Sequence, residues 1–311
     1  MEMGMVGLGR MGGNMVLRLL NRGHTLVAFD QSPDAVKAHV AQGATGANTL
    51  EDFVKAFKSK PRVMWIMVPA GDPTTQTINK LVALGEPGDI IIDGGNTNWK
   101  LALQDAARVK AKGMHYMDAG TSGGIWGLEY GYCLMVGAEQ ETYDHCLPLL
   151  KDLAPDDGGL VRTGSEGSGH FVKMVHNGVE YGLMQAYAEG FQVMKMSKSF
   201  PGMNMQAIAE AWRTGSVVRS WLLDLIARGL TEDPELSTIK GWVEDTGEGR
   251  WTVEAAIDES VPVPIIAESL FARFRSRMEN TFGDRLLAMM RNQFGGHAVV
   301  SDAKAEAAVK H

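Results

Sequence analysis

Six residues near the start of the chain, Gly7-Leu8-Gly9-Arg10-Met11-Gly12, constrain its fold more than any other feature. A G-x-G-x-x-G spacing alone is common in turns. Here it follows an apolar strand candidate at residues 3–8, opens a helix candidate at 11–21, and leads to a second strand candidate at 25–30 that ends on Asp30. A strand, glycine turn, helix and strand closed by an acid form the context that a dinucleotide-binding βαβ unit requires. In that unit Gly7 permits the tight turn, Gly9 lets the backbone approach a pyrophosphate, and Gly12 lets helix and strand pack closely. Leu8, Arg10 and Met11 lie where free N–H groups at a helix start face phosphate. Asp30 is placed to accept hydrogen bonds from an adenosine ribose and to repel a 2′-phosphate. Gln31 and Ser32 supply no cation to hold one, so NAD is expected ahead of NADP. The plainer reading of Asp30 is that it helps to cap the next helix.

The same alternation continues. Strand candidates at 62–68, 89–93 and 114–118 are separated by helical stretches at 74–84 and 99–112. Such alternation predicts a parallel sheet covered on both faces. After Gly164 the texture changes. Residues 167–196 read as one long helix, 205–229 and 264–294 read as helical, and no strand pattern follows. The expected architecture is therefore an α/β Rossmann-type parallel-sheet domain at residues 1–164 and an all-α domain at 165–311. Residues 302–311, rich in Ala, Lys and Glu, read as a frayed helix or as disorder.

Composition narrows the function classes. With 45% hydrophobic and 22% charged residues over 311 positions, a substantial core is expected. No apolar run of about 18 residues predicts a membrane span, and the first residues read as a strand rather than a leader. Two cysteines, Cys133 and Cys146, make no CxxC pair and point to a cytoplasmic setting. Cys133, in the apolar run 132–136, is expected to be a buried structural thiol. The formal net charge of −7 argues against nucleic acid as a partner. It also means that an anionic ligand needs a local cationic cluster. His24, His39 and His115 show no ligand spacing, so no metal site is expected.

The densest chemistry lies in Gly167-Ser168-Gly169-His170-Phe171-Val172-Lys173-Met174-Val175-His176-Asn177-Gly178-Val179-Glu180-Tyr181. On a helix Lys173, Asn177 and Glu180 share one face and His176 lies beside it. Spacing alone leaves a solvated polar face as an equal reading.

The motifs together resemble those of the 6-phosphogluconate dehydrogenase family. GLGRMG at 7–12, IIDGGNT at 91–97, SGG at 122–124, GSGHFVKMVHNGVEYG at 167–182 and RNQFGGH at 291–297 occur in the family's order and span nearly the whole chain. The resemblance implies oxidative decarboxylation of 6-phosphogluconate to ribulose 5-phosphate and CO2 with reduction of NAD or NADP, a step of the pentose phosphate pathway. It implies that Lys173 is the general base at the C3 hydroxyl and that Glu180 delivers a proton to C1. Asn96, Ser122, Gly123, Gly124, His176 and Asn177 would orient the substrate, and Tyr181, Arg273 and Arg291 would hold its phosphate. Val68 and Asn96 would add cofactor contacts. His297 would reach a neighbouring subunit's site, which makes the enzyme a homo-oligomer, dimer or tetramer, with a composite active site. No metal is implied, because the lysine supplies the cation. A free lysine is almost wholly protonated near neutrality, so the base role requires burial or a nearby cation.

Three departures stand out. The chain is much shorter than the family's long form, and resembles its short form. Thr246 stands where the long form has a phosphate-binding lysine, with Lys240 or Arg250 as possible substitutes. Pro69 stands where the long form has another lysine. The alternatives are a different β-hydroxyacid dehydrogenase, of the 3-hydroxyisobutyrate or tartronate semialdehyde reductase type, and a non-catalytic dinucleotide-binding regulatory module. The first needs no phosphate-binding arginines, and the second needs no Lys173/Glu180 pair.

Overall fold

The structure, a computed structural model, describes residues 1–300. Among these, eight strands form one sheet: β1 (Glu2–Val6), β2 (Thr25–Phe29), β3 (Thr45–Gly46), β4 (Val63–Ile66), β5 (Ile90–Asp93), β6 (His115–Ser122), β7 (Cys133–Ala138) and β8 (Leu160–Gly164). Their order is β3-β2-β1-β4-β5-β6-β7-β8. The chain therefore leaves β1 toward one edge and restarts at β4 beside it. A reversal of this kind opens a crevice at the carboxyl ends of β1 and β4, where doubly wound sheets bind ligands.

The strands alternate strictly between two cores. Met3, Met5, Leu26, Ala28, Trp65, Ile90 and Ile92 point to one face. There they meet Met15, Val16 and Leu19 of α1 (Arg10–Asn21) and Cys146, Leu149, Leu150 and Leu153 of α7 (Gln140–Leu153). Val6, Val27, Met64, Ile66 and Ile91 point to the other. Their partners are Phe53 of α3 (Leu50–Lys55), Ile78 and Leu81 of α4 (Asp72–Leu84), and Ala102, Ala106 and Val109 of α5 (Trp99–Ala111). Strands buried on both faces read as unbroken apolar runs, which is why the sequence shows them so clearly. The short α2 (Pro33–Val40) starts as expected, with Ser32 as its cap and Pro33 in its first turn.

The sheet is not wholly parallel. β6 and β7 run antiparallel, Ser122 opposite Cys133 and Met117 opposite Ala138. The link between them holds only a 3-10 turn (Gly124–Trp126) and the four-residue α6 (Gly127–Tyr130). It is too short for the crossover a parallel pair needs. The sequence reading missed β7 and β8, along with the two-residue β3. Cys133, expected to be buried, is exposed at the start of β7, while Cys146 is buried.

The long helix, α8 (Ser168–Lys195), is followed by α9 (Met205–Arg213), α10 (Trp221–Glu232), α11 (Glu248–Asp258), α12 (Pro264–Ser276) and α13 (Phe282–Gly295). The stretch 205–229 is thus two helices rather than one. Gly215 adopts φ +79°, and Ser220 starts the second helix by accepting from Leu223 N at 3.2 Å. The stretch 264–294 breaks likewise, at Thr281, whose capping box with Asp284 opens α13. By contacts, one compact unit holds residues 1–180 and Gly247–Val261, and a second holds Tyr181–Thr246 and the described residues from Pro262 on. The second unit has its own small core: Met205 and Ala209 against Leu223, Ala227 and Leu230. The tail at 302–311 lies outside the described residues.

Candidate active site

The crevice beside β1 and β4 is a cleft of about 860 Å³, lined by Gly7, Gly9, Phe29, Asp30, Gln31, Val68, Pro69, Gln76, Thr77 and Lys80, among others. Gly7 has φ +99°, a conformation that favours glycine. A Cβ at Gly12 would lie 2.1 Å from the Gly7 carbonyl oxygen, so this position admits no side chain. At Gly9 nothing lies within 4 Å of where a Cβ would stand. The backbone there is bare toward open space, which suits close approach by a pyrophosphate at the start of α1. Asp30 is held from both sides: Leu8 N donates to Oδ2 at 2.7 Å and Ser32 N to Oδ1 at 2.8 Å. It thus joins the glycine turn to the end of β2 and lines the cleft. These features fit a dinucleotide.

Leu8 is a core side chain, Met11 packs against the same core, and Arg10 is exposed. The sequence argument found no cation near Asp30, yet Lys80 of α4 lines the same cleft. Fifty residues separate the two, so only the fold brings them together. Pro69 is in the wall, its carbonyl accepting from Thr74 Oγ1 at 2.9 Å.

A second cluster forms where α8 meets β6. Asp118, fully buried on β6, accepts from Gly167 N at 2.5 Å and from His170 N at 2.7 Å. Its carboxylate thereby caps the first turn of α8, where the helix dipole favours negative charge. Burial nevertheless pushes the Asp118 carboxyl above its ordinary range, against the pull of these two N–H groups and of His170. Gly120, two residues on, lies so close to the helix that a Cβ there would come within 2.4 Å of Lys173 Cβ. The capped turn and the missing side chain fix Lys173 directly against β6.

Lys173 is only 5% exposed. Its ammonium donates a short hydrogen bond to Asn177 Oδ1, and His176 Nδ1 lies 2.9 Å from the same oxygen. His176 Nδ1 also stands 4.0 Å from Glu180 Oε2. The expected face of Lys173, Asn177, His176 and Glu180 is therefore an interacting cluster rather than a solvated stripe. Burial lowers the pKa of Lys173 below that of an ordinary lysine; Glu248, then Glu180 and Cys133, oppose the shift. A buried amine with a lowered pKa is equipped to act as a base.

Asn96 adopts φ +53° and uses its whole amide on the backbone of Thr121: Oδ1 accepts from Thr121 N at 2.9 Å, and Nδ2 donates to Thr121 O at 3.2 Å. It anchors the end of β6 just before Ser122, Gly123 and Gly124, where the two glycines take φ +122° and +52°. Behind this segment, Arg18 of α1 is buried, and among the described residues no carboxylate lies in hydrogen-bond range of it. It donates to the carbonyls of Asp152 and Ala154 at 2.8 Å each and of Leu128 at 3.2 Å. One guanidinium thus serves the C-terminal ends of both α6 and α7.

In the second unit, Tyr181, Thr246 and Arg273 assemble. The Arg273 guanidinium lies 3.5 Å from the centroid of the Tyr181 ring and donates to Glu244 O at 2.7 Å. Thr246 N donates to Tyr181 Oη at 3.1 Å. A stacked guanidinium, a phenol and a hydroxyl make a set that can bind a phosphate. Arg277, which the sequence reading passed over, supports this loop through an ion pair with Asp245 at 2.9 Å. Lys240 is exposed, and Arg250 belongs to α11 in the first unit. Arg291 and His297 are exposed, and Asn292 Nδ2 bonds the His297 carbonyl. Sequence reasoning gave Glu248 no role. It is 8% exposed, and its only sequence signal is an acid at the start of a helix.

Among the described residues no helix is long and apolar enough to cross a membrane, and no group of three or more His, Cys, Asp or Glu side chains is placed to hold a metal ion. Sequence profiles match in two parts: the NAD binding domain of 6-phosphogluconate dehydrogenase over residues 2–163, and the 6-phosphogluconate dehydrogenase C-terminal domain over residues 169–308. The NAD(+)-dependent, decarboxylating 6-phosphogluconate dehydrogenase of Haloferax volcanii is 41% identical over 300 residues, 96% of this chain and 98% of that one. The decarboxylating 6-phosphogluconate dehydrogenase of Lactococcus lactis (strain IL1403) is 36% identical over 290 residues, 88% of this chain but 61% of the longer relative. A solved Plasmodium falciparum 6-phosphogluconate dehydrogenase, described in its apo form and in complex with NADP+ and with 6-phosphogluconate, superposes with a TM-score of 0.82. It is 26% identical, over 97% of this chain and 66% of that one. With profiles matched across both halves and a relative of its own length, the chain belongs to the 6-phosphogluconate dehydrogenase family.

Proposed function

We propose that the chain oxidises 6-phosphogluconate with NAD and decarboxylates it to ribulose 5-phosphate and CO2. One observation carries the reading. Lys173, buried and bonded to Asn177, shares a face with His176 and Glu180 on a helix whose first turn is capped by Asp118. In the cleft, Gly7, Gly9, Asp30 and Val68 would hold NAD, which supplies the acceptor for a hydride from C3. Neutral Lys173 takes the C3 hydroxyl proton as that hydride leaves. Now an ammonium, Lys173 stabilises the negative charge that develops on the C3 oxygen as the C1–C2 bond breaks and CO2 departs. Glu180 then delivers a proton to the remaining carbon, C1 of the product. Asn177 and His176 orient the reacting end, Asn96 keeps Ser122, Gly123 and Gly124 in place, and Tyr181, Thr246 and Arg273 take the phosphate.

Asp30 supports NAD rather than NADP, as does the name of the Haloferax relative. Exposed Arg291 and His297 suit contacts with the substrate of a second copy, so the working enzyme is a homo-oligomer with composite sites in the cytoplasm.

The test is direct. Purified protein with 6-phosphogluconate and NAD should produce reduced nicotinamide and CO2 in equal amounts. Reduction without CO2, or turnover only with 3-hydroxyisobutyrate, would replace this reading with another β-hydroxyacid dehydrogenase.

A further inference from the structure

The proposed chemistry asks two opposed things of Lys173. It must start neutral, and it must then carry a positive charge while CO2 leaves. Burial favours only the first. Glu180 cannot be the standing counter-charge, because its own role is to deliver a proton. A second carboxylate, independent of Glu180, is needed beside the lysine.

The fold supplies one from another element. α11 is fastened to the catalytic helix one residue beyond Lys173: Thr252 Oγ1 is 2.8 Å from Met174 O and 2.8 Å from Glu248 O. A Cβ added at Gly178 would meet Thr252 at 2.7 Å, so the two helices touch along a bare stretch. Glu248 is the first residue of α11, a position where the helix dipole favours an acid. Its 8% exposure puts it among the buried charged side chains, as Lys173 is. Among the described residues, the titratable groups whose charge reaches Lys173 are Glu248 from α11, Glu180 from its own helix and Cys133 from β7. β6 faces the lysine with Gly120, and His176 shares Asn177 Oδ1 with it.

We propose that Glu248 is the counter-charge of Lys173, a positioning residue that holds the ammonium form in place while Glu180 is free to act as an acid. The inference rests on the base role of Lys173 given above. It predicts a direction that a purely structural residue would not produce. Glu248→Gln removes a charge that favours the ammonium, so the lysine should lose its proton at lower pH. The acid limb of kcat/KM, below which Lys173 is protonated in the free enzyme, should move down by about one pH unit. At a pH on that limb the neutral fraction would rise about tenfold, while kcat on the plateau falls because the ammonium is less well held.

Trace acetylation of Lys173 as a function of pH, read by mass spectrometry, reports the same titration without turnover. Its midpoint should fall by the same amount. Glu248→Asp, which draws the charge back by one methylene, should move both midpoints down by less, and it carries the test if Glu248→Gln does not fold. A midpoint that stays in place or rises in these variants overturns the proposal. Wild-type protein that releases no CO2 from 6-phosphogluconate would instead refute the proposed function, and the acetylation midpoint would still decide the role of Glu248.

Discussion

Replacing Lys173 by Met tests the reading at its centre, and the structure supplies the magnitudes. The site is 5% exposed and packed against Gly120. Met fills the space of the aliphatic stem as far as Cε and removes the amine. Asn177 Oδ1 loses its lysine donor but keeps His176 Nδ1 at 2.9 Å, so the polar cluster retains a partner. For catalysis, loss of proton transfer alone is worth about 10²–10⁴-fold in rate. Loss of the ammonium during decarboxylation adds to it, while the NAD dissociation constant should stay within about twofold of wild type, well under 1 kcal/mol.

Stability should change in a way that reports the same group. Lys173 has a lowered pKa in the folded state. Between that lowered value and the ordinary lysine value, the unfolded chain binds more protons than the folded one. Wild-type stability therefore rises with pH through this window, by at most about 1.4 kcal/mol per pH unit from this residue. Below the window both states are protonated, and the cost of burying the charge is fully present. The variant lacks this contribution, so its stability relative to wild type should fall as pH rises through the window. Denaturant unfolding of both proteins across a pH series, with steady-state and single-turnover kinetics, measures all of this. Turnover within tenfold of wild type would remove Lys173 from the base role. A stability difference that does not vary with pH would show that the lysine titrates as though exposed.

Three further substitutions probe the frame. Gly12→Ala sets a Cβ 2.1 Å from the Gly7 carbonyl oxygen, and the overpacking, about 1–3 kcal/mol, should weaken NAD binding by roughly tenfold or more in titration calorimetry; unchanged affinity would mean that the turn is not the phosphate site. Asp30→Ser removes the carboxylate and leaves Lys80 in the cleft wall, so the ratio of kcat/KM for NADP to that for NAD should rise by about tenfold, about 1.4 kcal/mol; a constant ratio would acquit Asp30. Arg18→Met strips donors from the carbonyls of Asp152 and Ala154 and should destabilise the protein by about 2–4 kcal/mol in denaturant unfolding. A loss below about 0.5 kcal/mol would show that water replaces the guanidinium, as at ordinary surface sites.

What could be read from the chain in advance was local. The glycine turn, the apolar strands and the Lys173–Glu180 stripe each depend on neighbours within one or two elements, so backbone periodicity exposes them. β7 and β8 escaped notice because strand pairing is a long-range event. The chain turns back after β6 through a link too short for a crossover, and the run at 132–136 becomes a strand only beside residues 117–122. The exposure of Cys133 follows from that same placement at the strand's first residue.

The amino-acid order alone thus determined a doubly wound dinucleotide domain, a helical second half and a lysine-bearing helix, because those properties are periodic along the chain. Tertiary structure decided which charges meet. Asp118 reaches across about fifty residues to cap α8, Lys80 joins the cleft of Asp30, and α11, which starts at Glu248, is fastened to α8 next to Lys173 from more than seventy residues away. Electrostatic partnership depends on distance through space, and only packing fixes that distance.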